Sequence, residues 1–315
     1  MSAIVQPDVR VEPGPPPRTA SPDDRPAAAS DVEISRARAL WRTIRRKPLG
    51  AASAILIAII VLTAVFADVL APYDPLDADP GIRLARPSQA HPFGTDDIGR
   101  DVLSRIIHGS RISLWVGLLA VGIGTAAGMV IGLACGFWEG RLDIILQRIM
   151  DAVQAIPGLV LALAIVSVLK PSTTNAMIAI AVVIIPGNSR IVRGAVLSAK
   201  QNRYVEAAQA IGCRQLRIVL THILPNVTAP ILVIASIWLG NAILIEATLS
   251  FLGVGTQPPT PSWGLMLSST GRAFMEQAPW LAIFPGLAIS LAVLGFNLFG
   301  DTLRDAWDPK LRTRG

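Results

Sequence analysis

The sequence predicts an all-α polytopic membrane protein with six transmembrane helices and with both termini in the cytoplasm. Hydrophobic residues make up 52% of the 315 residues and charged residues only 16%, whereas an ordinary soluble domain has about 25% charged residues. Apart from a Pro- and Gly-rich stretch at 247–271, six windows of 18 to 28 residues contain no Asp, Glu, Lys or Arg, and about 20 apolar residues suffice for one helix to cross a bilayer. The windows lack the alternation of barrel strands. This composition excludes a soluble enzyme, a disordered chain and a disulfide scaffold.

The basic residues predict the orientation. A basic stretch, residues 36–47, directly precedes the first window, and it lies too far from the start for a cleaved signal peptide. If this window is an uncleaved anchor with its amino end inside, 21 of the 28 Lys and Arg residues fall in cytoplasmic segments. Cytoplasmic loops carry such an excess. The net charge of +6 therefore requires no nucleic-acid partner.

The composition divides the chain into two regions. Residues 1–35 are rich in Pro, Ala, Asp and Ser, which predicts a disordered cytoplasmic tail. Residues 36–315 are expected to form the transmembrane domain, with a cytoplasmic loop at residues 195–225. The predicted spans lie at about residues 48–70, 112–137, 151–169, 172–194, 226–250 and 279–302.

The second span contains four glycines spaced four residues apart, Gly124, Gly128, Gly132 and Gly136. Small residues at this spacing form a groove that lets another helix approach closely. We therefore expect a packing seam along this face. Pro-Gly pairs at residues 157–158, 186–187 and 285–286 predict kinks in three other spans.

Two segments predicted to be external are long. The first, residues 72–111, contains a compact charged stretch. Its charged residues include Asp96, Asp97, Arg100, Asp101 and, at its end, Arg111. The second, residues 247–271, is uncharged but rich in Pro and Gly, which favours a structured loop over a seventh span.

The predicted cytoplasmic loop contains an amphipathic helix at residues 198–211, with Val205, Ala208 and Ile211 expected on one apolar face. Gly212 is expected to cap the carboxyl end of this helix, because glycine readily adopts the left-handed conformation that such caps need. A short helix followed by a turn is a suitable docking surface for a soluble partner.

The residues of this loop resemble those of a known family. Residues 204–226 read YVEAAQAIGCRQLRIVLTHILPN. The triplet 206–208, the glycine four residues after it and the terminal Leu224-Pro225 resemble the EAA loop of permease subunits in bacterial ABC importers. The general pattern has Ile two residues before Leu-Pro. Here that position is His222, and the form HILPN resembles the peptide-transport branch.

Three further stretches resemble the C-type membrane subunit of dipeptide and oligopeptide importers. They are HPFGTDDIGRDVLSR at residues 91–105 together with GSRISL at 109–114, EATLSFLG at 246–253, and PSWG at 261–264. With the EAA loop, the resemblance covers roughly residues 36–310. Four motifs in the expected order make it specific.

The resemblance implies a type I ABC importer permease fold in the bacterial cytoplasmic (inner) membrane. It implies four protein partners: a second homologous permease, two cytoplasmic ATPase subunits and an extracytoplasmic solute-binding protein. A peptide would be the substrate, and membrane lipid would surround the spans. None of the four lysines follows a glycine, so the chain lacks the Gly-Lys-Ser/Thr of a P-loop. We therefore expect no enzymatic activity and no cofactor in this chain, with ATP and Mg bound by the partner ATPases.

The resemblance also implies residue roles. The ATPase-coupling set is Arg203, Glu206, Ala207, Ala208, Gly212, Leu224 and Pro225. The external loop or gate set is Asp96, Asp97, Arg100, Asp101, Arg111, Glu246 and Trp263. A self-satisfied charged loop is the alternative for the acidic stretch. Glu246 has two interpretations. It lines the pathway, because ionisable groups within a membrane are often functional, or it pairs with Arg100, Arg105 or Arg111. We favour the pairing. The scattered histidines and two cysteines predict no metal site.

Other functions remain open at this point. Nickel chelates, glutathione or short glycans are alternative cargoes of the same importer class. A secondary transporter driven by an ion gradient would show an internal repeat and several intramembrane acids, which six spans with one acid fit badly. A membrane-embedded hydrolase would need a catalytic constellation within the spans, and the sequence has none.

Overall fold

The computed structural model of the protein describes residues 48–268 and 274–307. The predicted tail, residues 1–35, and the basic stretch that follows it lie outside the described residues. Within the described part of the chain, the elements are helical and none is a strand. The long helices are α1 (Pro48–Val65), α3 (Val102–Trp138), α4 (Gly140–Gln154), α5 (Gly158–Leu169), α6 (Thr173–Lys200), α9 (Leu224–Phe251) and α11 (Trp280–Trp307). The short ones are α2 (Ala67–Leu70), α7 (Arg203–Ala210), α8 (Gln215–Ile218) and α10 (Trp263–Met266).

Five of the described helices, α1, α3, α6, α9 and α11, are long and apolar enough to cross a membrane. The helices α4 and α5 pass the same test as a pair and make a sixth candidate, but they meet at an angle of 90°. The span predicted at 151–169 is therefore not one continuous helix, and its break lies at the Pro-Gly pair 157–158, where a kink is predicted. Pro157 explains the break, because a proline disfavours helical backbone at the residue before it. The 12 residues of α5 rise only about 18 Å, which is short for one crossing.

Another boundary difference is at α3, which begins at Val102, ten residues before the predicted start of the second span. The Asp101 side chain caps this helix by accepting a hydrogen bond from the Ser104 backbone N–H at 2.7 Å. Such a cap satisfies one of the free N–H groups of the first turn. Arg105 and Arg111 consequently lie within α3. A search for uncharged windows excludes this first part of the helix.

The helices α3 and α6 pack closely through small residues. Gly124, Gly128, Gly132 and Gly136 of α3 are all buried against α6. A Cβ atom added at Gly128 would lie 2.7 Å from Cβ of Asn188 and 3.0 Å from the Ile185 carbonyl oxygen. Such backbone contact drives helix association in lipid, where apolar surface alone does not. The helix that approaches the four glycines is therefore α6.

Candidate functional site

Polar residues gather at the two ends of the bundle. We call the end formed by residues 139–157 and 190–225 the EAA end, after the triplet at 206–208. We call the other, formed by residues 66–111 and 246–279, the loop end; within it, residues 269–273 lie outside the described part of the chain. Each contains one of the two predicted site sets.

At the EAA end, the predicted helix 198–211 is two helices. The helix α6 continues to Lys200, and α7 begins at Arg203. Asn202 lies at the break, and its side-chain amide donates to the Ala199 carbonyl oxygen at 3.0 Å. This contact fixes α7 to the end of α6.

The two faces of α7 differ. Val205 and Ala208 are buried in an apolar cluster that includes Val196 of α6. Glu206 and Ala207 point away from this cluster and are exposed. The predicted place of Ile211 on the apolar face is wrong, because this side chain is 80% exposed. The triplet is thus divided, with Ala208 anchoring the helix and its two neighbours available for contact.

The turn after α7 follows the predicted cap. Gly212 has a φ of +76°, a left-handed conformation that glycine adopts without strain. Its N–H donates to the Gln209 carbonyl oxygen, and the Cys213 N–H donates to that of Ala208, both at 3.0 Å. This pattern is a Schellman motif. It turns the chain towards α8.

A π-helical turn, Val219–Ile223, connects α8 directly to α9. Leu224 and Pro225 are the first two residues of α9. The Leu224 N–H donates to the Val219 carbonyl oxygen of the π-helical turn, whereas Pro225 has no N–H to donate. Leu224 packs against the cluster beneath α7, whereas Pro225 is exposed.

Charged residues at the EAA end fall into two groups. Ion pairs join Glu139 to Lys200 at 2.7 Å, Asp143 to Arg193 at 2.6 Å, and Asp151 to Arg190 at 2.6 Å. These pairs connect α4, and Glu139 directly before it, to α6. In contrast, Arg203, Glu206, Arg214 and Arg217 are exposed and have no ion-pair partner among the residues described. The second group lies on α7 and on the segment that follows it.

At the loop end, Asp96 is the centre of a charged cluster. Its carboxylate accepts hydrogen bonds from the backbone N–H groups of Ile98 at 3.1 Å and Arg100 at 2.9 Å. It also pairs with the guanidinium groups of Arg100 at 2.7 Å and Arg105 at 3.6 Å. Because Asp96 and Arg105 are both buried, this cluster holds the loop together internally.

The other predicted residues of the first external segment are held in similar ways. Besides capping α3, Asp101 lies 3.0 Å from Nδ1 of His91. Arg111 donates to both carboxylate oxygens of Asp68 at 3.2 Å. Asp97 differs, since its Oδ1 is buried and has no hydrogen-bond partner in the described part of the chain. Asp96, Arg100 and Asp101 thus have the geometry of the self-satisfied charged loop.

The predicted pairing of Glu246 with an external arginine is wrong. Glu246 is fully buried, and its carboxylate lies in no ion pair with Arg100, Arg105 or Arg111, whose described partners are Asp96 and Asp68. Hydroxyl groups surround it instead, including that of Ser113, which donates to Oε2 at 3.1 Å. Ser113 is not among the predicted partners of Glu246, although it lies in the resembling stretch 109–114.

Trp263 is also buried, and its indole N–H donates to the Ile106 carbonyl oxygen at 3.0 Å. It therefore anchors α10 to α3. Within the described residues, no group of three or more His, Cys, Asp or Glu side chains is arranged to hold a metal ion. Cys135 and Cys213 are both free thiols.

Comparison with known proteins places the chain in a family. Residues 128–313 match the family described as "Binding-protein-dependent transport system inner membrane component". Residues 35–87 match the "N-terminal TM domain of oligopeptide transport permease C". Together, these matches include most of the chain.

Two curated relatives are similar over most of their lengths. The dipeptide transport system permease protein DppC of Alkalihalophilus pseudofirmus is 43% identical over 295 residues, which are 94% of this chain and 97% of the relative. The glutathione transport system permease protein GsiD of Escherichia coli O6:K15:H31 is 44% identical over 273 residues, which are 86% and 90% of the two chains.

A solved structure, described as inward-facing conformations of the MetNI methionine ABC transporter, has the same fold with a TM-score of 0.53 and 17% identity. The match covers 65% of this chain and 96% of that chain. At this identity the likeness concerns the fold alone. With the sequence matches, it shows that this chain belongs to the binding-protein-dependent transport system inner membrane components and is an ABC importer permease subunit of the type I fold.

Proposed function

We propose that this chain is a permease subunit of an ATP-driven importer that carries dipeptides or short oligopeptides across the bacterial cytoplasmic (inner) membrane. The dipeptide permease relative, at 43% identity over nearly the whole of both chains, supports this cargo. The match of residues 35–87 to an oligopeptide permease domain supports it as well.

Glutathione is the second candidate cargo. The GsiD relatives match at 44–45% identity, close to the identity of the dipeptide relative. Glutathione is itself a tripeptide, so both candidates present an amide backbone with charged ends to the pathway. The choice between them depends on the solute-binding protein that delivers the cargo.

The observation that carries the coupling proposal is the arrangement of α7. Its outward face presents Glu206 and Ala207, while Val205 and Ala208 fix the same helix to the apolar cluster at the end of the α3–α6 seam. A partner that binds the outward face therefore moves a helix that is packed into the bundle. Because packed interiors are dense and transmit displacement, closure of the ATPase pair would reach the spans through α7.

Charge supports the same site. A carboxylate in a charge-assisted hydrogen bond makes one of the stronger polar contacts in proteins, and Glu206 has no such contact among the residues described. In this proposal, each permease docks on one of two ATPase subunits, which bind ATP and Mg. A second permease and an extracytoplasmic solute-binding protein complete the importer.

Charge reversal tests the coupling site. In Glu206→Lys, we expect uptake of a labelled dipeptide to fall about 10-fold or more, because losing a charge-assisted contact of about 1.5–3 kcal/mol weakens docking by that factor. The amount of ATPase that co-purifies with the permease should fall in parallel. Glu276→Lys reverses an exposed glutamate at the loop end and should keep the ATPase bound. Unchanged uptake and co-purification in Glu206→Lys would show that the coupling surface lies elsewhere.

Ligand binding tests the cargo. Calorimetric titration of the cognate solute-binding protein with a dipeptide, a tetrapeptide, glutathione and a nickel chelate should show tightest binding to one of the peptides. Binding of glutathione alone would select the second candidate. A protein that bound only the chelate would contradict the peptide proposal and leave the coupling proposal standing.

A further inference from the structure

Glu246 is a buried carboxylate that the proposed coupling route does not use. It lies in α9, five residues before the end of this helix at Phe251. The side chain is fully buried, and among residues 48–268 and 274–307 it has no basic partner. An unpaired carboxylate in an apolar interior is costly unless hydrogen-bond donors surround it.

Hydroxyl groups supply these donors, and those of Ser113, Ser250 and Thr256 come from three different segments. Ser113 of α3 donates to Oε2 at 3.1 Å. Ser250 of α9 donates to Oε1 at 2.7 Å, and Thr256, in the loop after α9, donates to the same oxygen at 3.3 Å. An ionised carboxylate only accepts hydrogen bonds and has two oxygens. It can therefore join three donors from separate segments at one point.

The loop after α9 folds back tightly onto the end of that helix. The Thr256 N–H donates to Oγ of Ser250 at 2.9 Å. The N–H groups of Val254 and Gly255 both donate to the Leu249 carbonyl oxygen at 3.0 Å. A Cβ atom at Gly255 would lie 2.6 Å from the Ser250 nitrogen. The first residues of the loop are therefore in direct contact with the helix that contains Glu246.

The far end of the same loop is fastened to the same two helices. Trp263 donates to the Ile106 carbonyl oxygen of α3. Gly264 lies directly against the backbone of Ala247 in α9, where a Cβ atom would overlap. The segment 252–264 is thus held at its start by Glu246 and at its end by α10. We call this segment the strap.

We propose that Glu246 is a positioning residue that latches the strap to α3 and α9, so that the strap and these helices move as one body. The loop end then changes conformation by moving this whole unit, and the strap does not open independently. Glu246 acts through the hydroxyl groups of Ser113 and Thr256 and needs no contact with the cargo.

Hydrogen exchange of the full-length permease in nanodiscs tests this proposal without any partner protein. In Glu246→Ala, we expect amide exchange in residues 252–262 to become roughly 10-fold faster or more, because the hydrogen bonds that hold the strap are lost. Exchange in α1 and α11 should stay as in the wild type. Glu246→Gln should lie between the two, since its amide oxygen still accepts from Ser250 and Thr256 but its NH2 group cannot accept from Ser113.

Thr248→Val is the matched control. The Thr248 hydroxyl lies on the same helix but bonds only to the Leu244 carbonyl oxygen of its own turn, so the strap should exchange as in the wild type. If Glu246→Ala does not fold, Ser113→Ala and Thr256→Val each remove one donor and should each accelerate exchange in the strap several-fold. Wild-type exchange of the strap in a folded Glu246→Ala protein, or in both donor variants, would overturn the proposal. A uniform acceleration over all helices would overturn it as well.

Discussion

The EAA end and the loop end use charged residues in opposite ways. At the loop end, Asp96, Arg105 and Glu246 are buried and hydrogen-bonded within the chain. At the EAA end, Glu206 and Arg203 are exposed and have no ion-pair partner among the described residues. Both ends are connected through the same glycine seam between α3 and α6.

This difference separates residues that hold the fold from residues available to a partner. A buried charge must be satisfied within the chain, so its removal harms folding. An exposed charge contributes little to stability. Its removal should therefore leave the fold intact and weaken only the binding of a partner that contacts it. The comparison therefore predicts that the more deeply an ion pair is buried, the more free energy of unfolding is lost when it is broken.

The most buried pair should have the largest effect. In Asp96→Ala, we expect the free energy of unfolding to fall by about 3–5 kcal/mol, because the buried Arg105 guanidinium loses its partner and breaking a buried pair from one side costs that much. Unfolding of the purified permease in denaturing detergent, followed by circular dichroism, measures this change.

Glu206→Ala is the matched control, since it also removes one carboxylate. We expect its free energy of unfolding to stay within about 0.5 kcal/mol of the wild type, as is usual for exposed positions. If the two variants lost equal stability, the distinction between the two ends would be wrong.

A half-buried pair should have an intermediate effect. Arg193 of α6 donates to both carboxylate oxygens of Asp143 in α4 at 2.6 Å, and the exposed fractions of the two side chains are 33% and 12%. In Arg193→Ala, we expect a loss of about 1–2 kcal/mol, since a charge-assisted pair is worth about 1.5–3 kcal/mol and partial exposure to solvent reduces it.

A double-mutant cycle with Asp143→Ala isolates the contribution of this pair. Arg148→Ala is the control on α4, because this side chain is 82% exposed and lies 4.0 Å from Asp151. Additive losses in the Arg193 and Asp143 variants would show that the observed bidentate contact does not stabilise the fold.

The sequence predicts the apolar parts of this structure better than its polar contacts. Hydrophobic windows are recognised by composition and length, and each of the six predicted spans overlaps a long helix or the bent α4–α5 pair. The glycine spacing likewise follows from helix geometry, and the close approach of α6 needs only backbone. The cap at Gly212 is local, since all its hydrogen bonds fall within five residues.

Long-range partners do not leave such a signal. Glu246 and Ser113 are 133 residues apart, and nothing in the chain marks a serine as a partner in preference to a nearby arginine. Helix ends inside charged segments fail for a related reason. The start of α3 depends on the Asp101 cap and on internal pairing of Arg105, which lets a charged residue enter a helix that a search for uncharged windows excludes.

The most exposed pair should have the smallest effect and should depend on pH. Asp68 is 72% exposed and Arg111 42%. The hydrogen bond from the Arg111 guanidinium, together with its charge, holds the pKa of the Asp68 carboxyl below its ordinary value of 3.8. A carboxyl whose pKa is lower in the folded state stabilises the fold above its unfolded pKa. This contribution is lost as the pH falls through the folded pKa.

The thermal midpoint of Asp68→Asn should therefore lie slightly below that of the wild type at pH 7. The gap should narrow as the pH falls below about 4, because the carboxyl is protonated first in the unfolded state, and it should close once the pH lies below the lowered folded pKa. Asp77→Asn, on an exposed aspartate of the same segment, should show no gap at pH 7. A gap for Asp68→Asn that stayed constant from pH 7 to pH 3 would mean that the side-chain shape, and not the ion pair with Arg111, stabilises this corner. The stability lost in Asp68→Asn at pH 7 should also be smaller than that lost in Arg193→Ala. A larger loss would contradict the expected order, in which more buried ion pairs contribute more stability.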